Sequence, residues 1–297
     1  MRSITDELRL RVEALKQDAH QLFTAHSVIR PHRQFREFVV VHLGSHEWGE
    51  LPIEGERLAS KLREEYDRFA EVLRVLLRSQ DRRTLQELEQ SRKRLRQWID
   101  QSGDHSFKNG QDAADAFVKE LDEQLGLIEK LYDWREGEHI YVPDTNALIF
   151  QPKIEDWSFD GSCRFTLVLM PTVLTELDKH KVNDRNPAVR DKAKQLVRQL
   201  MEYRRRGSLA SGVVIRKDKI TLRTLAVEPD FDNTLSWLDR ANDDDRILAG
   251  FIEVLRQHPR CPVFLVTGDI NLTNKADYAG LPCVPPPEPP VTSPTAC

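Results

Sequence analysis

His139-Ile140-Tyr141-Val142-Pro143-Asp144-Thr145-Asn146 sets an apolar run against a proline, an acid and two small polar residues. A short run rich in β-branched and aromatic residues reads as a strand buried on both faces of a parallel sheet. Asp144 then falls at the strand's carboxyl end, where open α/β sheets build their sites. Phe165-Thr166-Leu167-Val168-Leu169-Met170 and Val263-Phe264-Leu265-Val266-Thr267 share the pattern. Amphipathic helical patterns over about 171–181, 187–206 and 243–257 alternate with these runs, and a strand pair is expected around 213–215 and 221–227. The alternation predicts an α/β domain, a three-layer α/β/α sandwich with a central parallel sheet.

Three further acids hold comparable positions. Glu176 lies about one turn into a helix that opens at Pro171, Asp245 closes Asn242-Asp243-Asp244-Asp245, and Asp269 follows Gly268 in the turn after a strand. Each has an ordinary structural explanation: Asp144 suits a turn or an N-cap, and Glu176 suits a helix dipole. Asp178, two residues beyond Glu176, points elsewhere on the helix and is expected at the surface. Three successive acids exceed what capping needs. Asp243 is expected as the cap, Asp245 as the first choice of ligand and Asp244 as the second. Carboxylates that converge repel one another, a cost tolerable mainly when divalent cations neutralise them. The four acids together predict a metal-dependent nuclease.

The 297 residues are enough for two domains, and 39% hydrophobic with 31% charged residues describes a folded chain with a highly charged surface. No apolar run approaches the roughly 20 residues of a membrane span, and the first residues lack the apolar stretch of a signal peptide. Cys163, Cys261, Cys283 and Cys297 are scattered without metal-ligand spacing, so a reduced, cytoplasmic protein is expected. The net charge of −4 carries no general nucleic-acid signature. Its distribution is uneven, however: residues 176–223 hold 14 Lys/Arg against 6 Asp/Glu, an excess of 8. Positive charge beside an acidic cluster suits a polyanionic substrate; a solvated helix face plus a hairpin is the plainer explanation.

Residues 1–136 read as a helical bundle domain, with stripes at Leu8, Val12, Leu15, Ala19 and Leu22, then at Leu58, Leu62, Tyr66, Phe69, Leu73 and Leu76. Leu85, Leu88, Leu95, Trp98 and Ile99 suggest a third helix, and Phe117, Leu121, Leu125, Ile128 and Leu131 a fourth. Phe38-Val39-Val40-Val41 fits either a strand or a buried helical turn. The α/β domain is expected over 137–285. The proline-rich tail, 286–297 in the division of domains, is expected to be unpacked already from Pro282.

Four blocks give the C-terminal half a family resemblance: Val142-Pro143-Asp144-Thr145-Asn146-Ala147-Leu148-Ile149, Glu176-Leu177-Asp178-Lys179-His180-Lys181, Asn242-Asp243-Asp244-Asp245-Arg246-Ile247-Leu248 and Thr267-Gly268-Asp269-Ile270-Asn271-Leu272-Thr273-Asn274-Lys275-Ala276. In order and approximate spacing they resemble the signature blocks of PIN domains. Their wording is closest to RNA-decay nucleases and bacterial PIN–PhoH proteins. The resemblance spans about 139–285 and leaves the N-terminal helices unexplained. It implies Mg²⁺ or Mn²⁺ at the acidic cluster and endonucleolytic cleavage of single-stranded or structured RNA. The triple Asp departs from the pattern and leaves the ligand in that block open.

Carboxylate oxygens are the hard ligands Mg²⁺ and Mn²⁺ prefer, and such ions activate water and stabilise a leaving oxygen. Asp144, Asp245 and Asp269 are expected to bind metal most directly, with Asp244 as the alternative and Glu176 acting through water or at a second ion. Thr267 and Asn146 are expected to hydrogen-bond the carboxylates, and Asn271 to approach the scissile region. Lys179, Lys181, Arg185 and Arg190 are expected on the RNA backbone, and Arg204-Arg205-Arg206 at a solvated helix end. Three other readings compete: a catalytically silent PIN-like scaffold, a toxin-type or defence nuclease acting on tRNA or single strands, and a phosphatase or flap nuclease. The last lacks the extra acids and helical arch of flap nucleases and an Asp two residues after Asp144. The N-terminal helices are open to regulation, oligomerisation or substrate choice.

Overall fold

The computed structural model describes residues 1–31, 46–103, 105–132, 138–159, 162 and 164–288. Two compact units divide the chain: Leu8–Lys130 forms one, and Met1–Glu7 with Leu131–Cys297 the other. The change from helical to α/β grammar expected at 136/137 lies outside the described residues, as does Phe38–Val41.

Helix α1 (Ile4–Gln21) runs into a π-helical turn at Leu22–His26. Strands β1 (Ile29–Pro31) and β2 (His46–Trp48) pair antiparallel, a small sheet that three-residue strands did not announce. Helices α2 (Ile53–Leu76), α3 (Arg82–Ile99) and α4 (Gly110–Leu131) follow. Their stripes are buried as the 3.6-residue period requires, at Leu62, Tyr66, Phe69, Leu73, Leu95, Phe117 and Leu121. Asp81 starts α3 by accepting hydrogen bonds from the backbone N–H groups of Arg83 (2.9 Å) and Thr84 (3.1 Å). Phe23, Tyr66 and Phe117 meet ring to ring, at 5.5 and 6.3 Å between centroids.

Gly110 is where the main chain comes closest. A Cβ there would lie 2.0 Å from the carbonyl oxygen of Phe23, which as backbone cannot step aside. Gly110→Ala should destabilise the helical unit by about 1–3 kcal/mol. A lower urea midpoint at unchanged slope is the expected reading, and an unshifted midpoint would contradict it.

The second unit is built on a six-stranded mixed sheet. In chain order its elements are β3 (His139–Pro143), α5 (Thr145–Phe150), β4 (Phe165–Leu169), α6 (Pro171–Asn183), α7 (Pro187–Arg206), β5 (Val213–Arg216), β6 (Ile220–Thr224), α8 (Asp243–Gln257), β7 (Val263–Val266), α9 (Ile270–Ala279) and β8 (Cys283–Val284). The strand order is β5-β6-β4-β3-β7-β8. All pairings are parallel except β5 with β6, where a bulge falls between Val214 and Arg216, so the sheet is mixed and not purely parallel. Prolines begin α6 and α7, where a missing N–H costs nothing, and Gly280 ends α9 in the left-handed conformation at φ 65°.

The tail is corrected at its start. Expected to be unpacked from Pro282, the chain instead adds β8 in register with Leu265 and Val266. Leu265 donates its N–H to the Pro282 carbonyl at 2.9 Å, and Thr267 its own to Val284 at 3.1 Å. Pro285-Pro286-Pro287 follows directly.

The strand order positions the site. From β3 the chain passes to β4 and β6 on one side, then returns to place β7 on the other. The switch point lies between the carboxyl ends of β3 and β7, the crevice in which open α/β sheets bind ligands. Pro143 stands opposite Val266 in the register, which brings Asp144 beside Thr267 and Asp269.

Candidate functional site

Asp144 caps α5 and is 2% exposed. Its Oδ1 accepts the Ala147 N–H at 2.6 Å, its own N–H donates to the Val266 carbonyl at 3.0 Å, and its Oδ2 accepts the Thr267 hydroxyl. Thr267 Oγ1 in turn accepts the Asp269 N–H at 2.9 Å, so one hydroxyl joins the two acids at the switch point. Asp269 caps α9, its Oδ1 receiving the N–H groups of Asn271 (2.7 Å) and Leu272 (3.1 Å). Both acids thus perform the capping work that the plainer sequence explanation proposed for Asp144, and share a hydroxyl as well.

Burial dominates the electrostatics of Asp144. Burial pushes its carboxyl up to about 6; hydrogen bonds from Thr267 and Ala147 oppose the rise, and the charges of Asp269 and Glu176 add to it. Glu176, on α6, accepts the Thr145 hydroxyl. Burial also raises its pKa, against the Thr145 bond and with the Asp243 charge. Thr145 is a participant the sequence reading missed, although its place directly after Asp144 was the available signal.

The triple acid resolves into three different surroundings. Asn242 is the N-cap of α8, its side chain accepting the Asp245 N–H at 3.2 Å, so the expectation that Asp243 caps this helix is corrected. Asp243 instead pairs with Arg246 at 2.9 Å and Lys179 at 3.4 Å. Asp245 is 5% exposed, and both its oxygens are engaged: Oδ2 accepts the Asp239 N–H at 2.9 Å, and Oδ1 the Lys275 ammonium at 2.6 Å. Lys275 also stands 3.8 Å from Asp244. Asp244 is half-buried; burial raises its pKa first, Lys275 opposes, and Asp269, Asp245 and Asp243 add to the rise. Lys275 is the second residue missed. Its signal was a lysine on the helix that Asp269 opens, within reach of the acidic block.

Among the remaining expected participants, Asn146 and Asn271 are exposed beside the acids. Lys179, Arg185 and Glu176 line a groove with His180, Asn183, Asp184 and Asp243. Lys181 pairs with the exposed Asp178 at 2.7 Å, and Arg190 donates to the Asp184 carbonyl at 2.7 Å. Part of the local positive excess is therefore matched within the protein. The Arg204–Arg206 triplet ends α7, with Arg206 near Glu202 at 3.1 Å.

Comparison with known proteins settles the fold family. Residues 141–285 match the family model described as PIN domain. This segment is a PIN domain. It is a nuclease-type fold, and it contains Asp144, Glu176, Asp243, Asp244, Asp245 and Asp269. No curated protein sequence matches the chain. Among the described residues no helix is long and apolar enough to cross a membrane.

PIN domains usually use divalent metals. The donor set fits such an ion by its chemistry: it offers carboxylate oxygens, the ligands hard cations take, and Asp144 and Asp244, whose pKa values are raised first by burial and then by neighbouring acids, are groups whose charge a cation would stabilise. The geometry is less complete. Among the described residues no three His, Cys, Asp or Glu side chains are gathered as a ready-made metal cage.

Proposed function

We propose that the PIN domain is a Mg²⁺- or Mn²⁺-dependent endoribonuclease, hydrolysing RNA phosphodiester bonds at the switch point of its sheet. The observation that carries this reading is the Thr267 hydroxyl, which links the buried Asp144 to Asp269 at adjacent strand ends. The buried Asp144 carboxylate is thereby fixed beside a second acid, and its desolvation has no structural return beyond one helix cap and the Thr267 bond. Asp144, Asp269 and Asp244 would hold the ion, with Glu176 at its edge. Asp245 was the sequence preference in its block, but its oxygens are taken by Lys275 and Asp239, so it serves as the anchor of that block. A bound ion would supply charge neutralisation and an activated water. Thr145 and Thr267 orient the carboxylates, while Lys179 and Arg185, with Lys181 and Arg190 behind them, draw the phosphate backbone into the groove. Residues 1–136 would serve regulation, oligomerisation or substrate choice, as a domain separate from 137–285.

A catalytically silent scaffold is the second reading, and Lys275 is the observation in its favour, because an ammonium already neutralises Asp245. Calorimetric titration with Mn²⁺, paired with cleavage of labelled RNA, separates the two. The nuclease reading expects saturable binding, cleavage abolished by chelator, and loss of both in Asp269→Asn. Wild-type protein that neither binds Mn²⁺ nor cuts RNA would establish the scaffold.

A further inference from the structure

Two aromatic rings come together on the segment leading into α8 and the end of α9, about 12 Å of helix rise from Asp269. Trp237 and Tyr278 meet edge to face, with centroids 5.4 Å apart and planes at 89°. In such a pair the edge of one ring meets a face of the other. Tyr278 is 44% exposed and Trp237 half-buried. Both rings are tied to the site through their neighbours. Asp239, two residues after Trp237, donates its N–H to one oxygen of Asp245 at 2.9 Å; Lys275, one turn before Tyr278, holds the other at 2.6 Å. The pair is thus fixed to the anchors of the acidic block.

The outer side of α9 leads the same way. Ile270 follows Asp269 directly and is 77% exposed. Asn274 and Tyr278 come four and eight residues later, both exposed, so the three share one side of the helix. The rise from Ile270 to Tyr278 is about 12 Å, a path from the acids to the ring pair.

We propose that Trp237 and Tyr278 form a stacking ledge for an unpaired nucleobase of the strand whose phosphate lies at the acids, with Ile270 lining the path. The inference rests on the ribonuclease reading and narrows its substrate to RNA with unpaired bases. Every base has a π face, so such a ledge accepts many sequences, whereas a base paired within a duplex cannot lie on it.

Fluorescence anisotropy with full-length protein in EDTA tests the ledge without cleavage. The probes are a short labelled oligouridylate and an abasic ribose-phosphate strand of equal length, which offers the same charge and no base. Wild type should prefer oligouridylate by about tenfold. Tyr278→Ala and Trp237→Ala should bring that preference close to one while leaving affinity for the abasic strand unchanged, and Tyr278→Phe should retain it. Equal binding of both strands by wild type, or an undiminished preference in Tyr278→Ala, would overturn the ledge and leave the ribonuclease reading standing. Binding of neither strand by wild type would likewise overturn the ledge, while the ribonuclease reading stands or falls on the Mn²⁺ titration and cleavage.

Discussion

Asp144→Asn is expected to lower Mn²⁺-dependent RNA cleavage by about a thousandfold while leaving the domain folded. The pH dependence of stability distinguishes this loss from unfolding. Burial holds the Asp144 carboxyl at about 6, above its ordinary 3.8, so folding favours the protonated form. That contribution is complete below about pH 3.8 and is lost as pH rises through about 6, a difference of about 3 kcal/mol. The asparagine variant is uncharged at every pH. In EDTA its unfolding temperature should match wild type near pH 4 and exceed it by several degrees at pH 8. Saturating Mn²⁺ should reverse the order at pH 8, because a ligand bound only by the native wild type stabilises it. A variant less stable than wild type at pH 8 in EDTA would assign Asp144 a structural role.

Lys275→Met is the second substitution with a large expected effect. Asp245 is 5% exposed, and its carboxylate would lose the only cation within 4 Å among the described residues. Breaking a fully buried pair costs about 3–5 kcal/mol; the partial exposure of Lys275 reduces the expectation to about 2 kcal/mol. The PIN domain should unfold about 4–8 °C lower, and the Asp245 backbone, which opens α8 beside Asp244, should loosen. A double-mutant cycle with Asp245→Asn measures the pair directly: the two changes should be strongly non-additive, and additive effects would mean that the 2.6 Å contact contributes little.

The parts of the fold that were legible have strong periodicity. β3, β4 and β7 are unbroken apolar runs, and α7 and α8 carry long stripes between clear starts, so their positions follow from local physics. β8 is two residues between prolines and α5 is six residues, too short to show a period. β1 and β2 are stabilised by each other, 15 residues apart, which no local pattern reveals. At the site, Asp144, Glu176 and Asp269 could be singled out because each stands alone after a strand or within a helix turn. The triple acid could not be resolved, because successive helix residues point about 100° apart and tertiary partners decide which faces inward. Those partners are Lys275, 30 residues further on, and the backbone of Asp239. Thr145 likewise gains its role only when α6 brings Glu176 beside it, whereas Thr267, expected to hydrogen-bond a carboxylate, does so across β3 and β7.

The two rims of the sheet bear on self-association. β5 is broken by its bulge and runs into Arg216, Lys217 and Lys219, whose charges resist a neighbouring strand. β8 is two residues long and ends in three prolines that have no N–H to donate. Neither rim can template an incoming strand over any useful length, so the PIN domain is guarded against edge-to-edge aggregation. Contact between copies of this six-stranded sheet is left to side-chain surfaces, without a continuous ladder of main-chain hydrogen bonds along its rims.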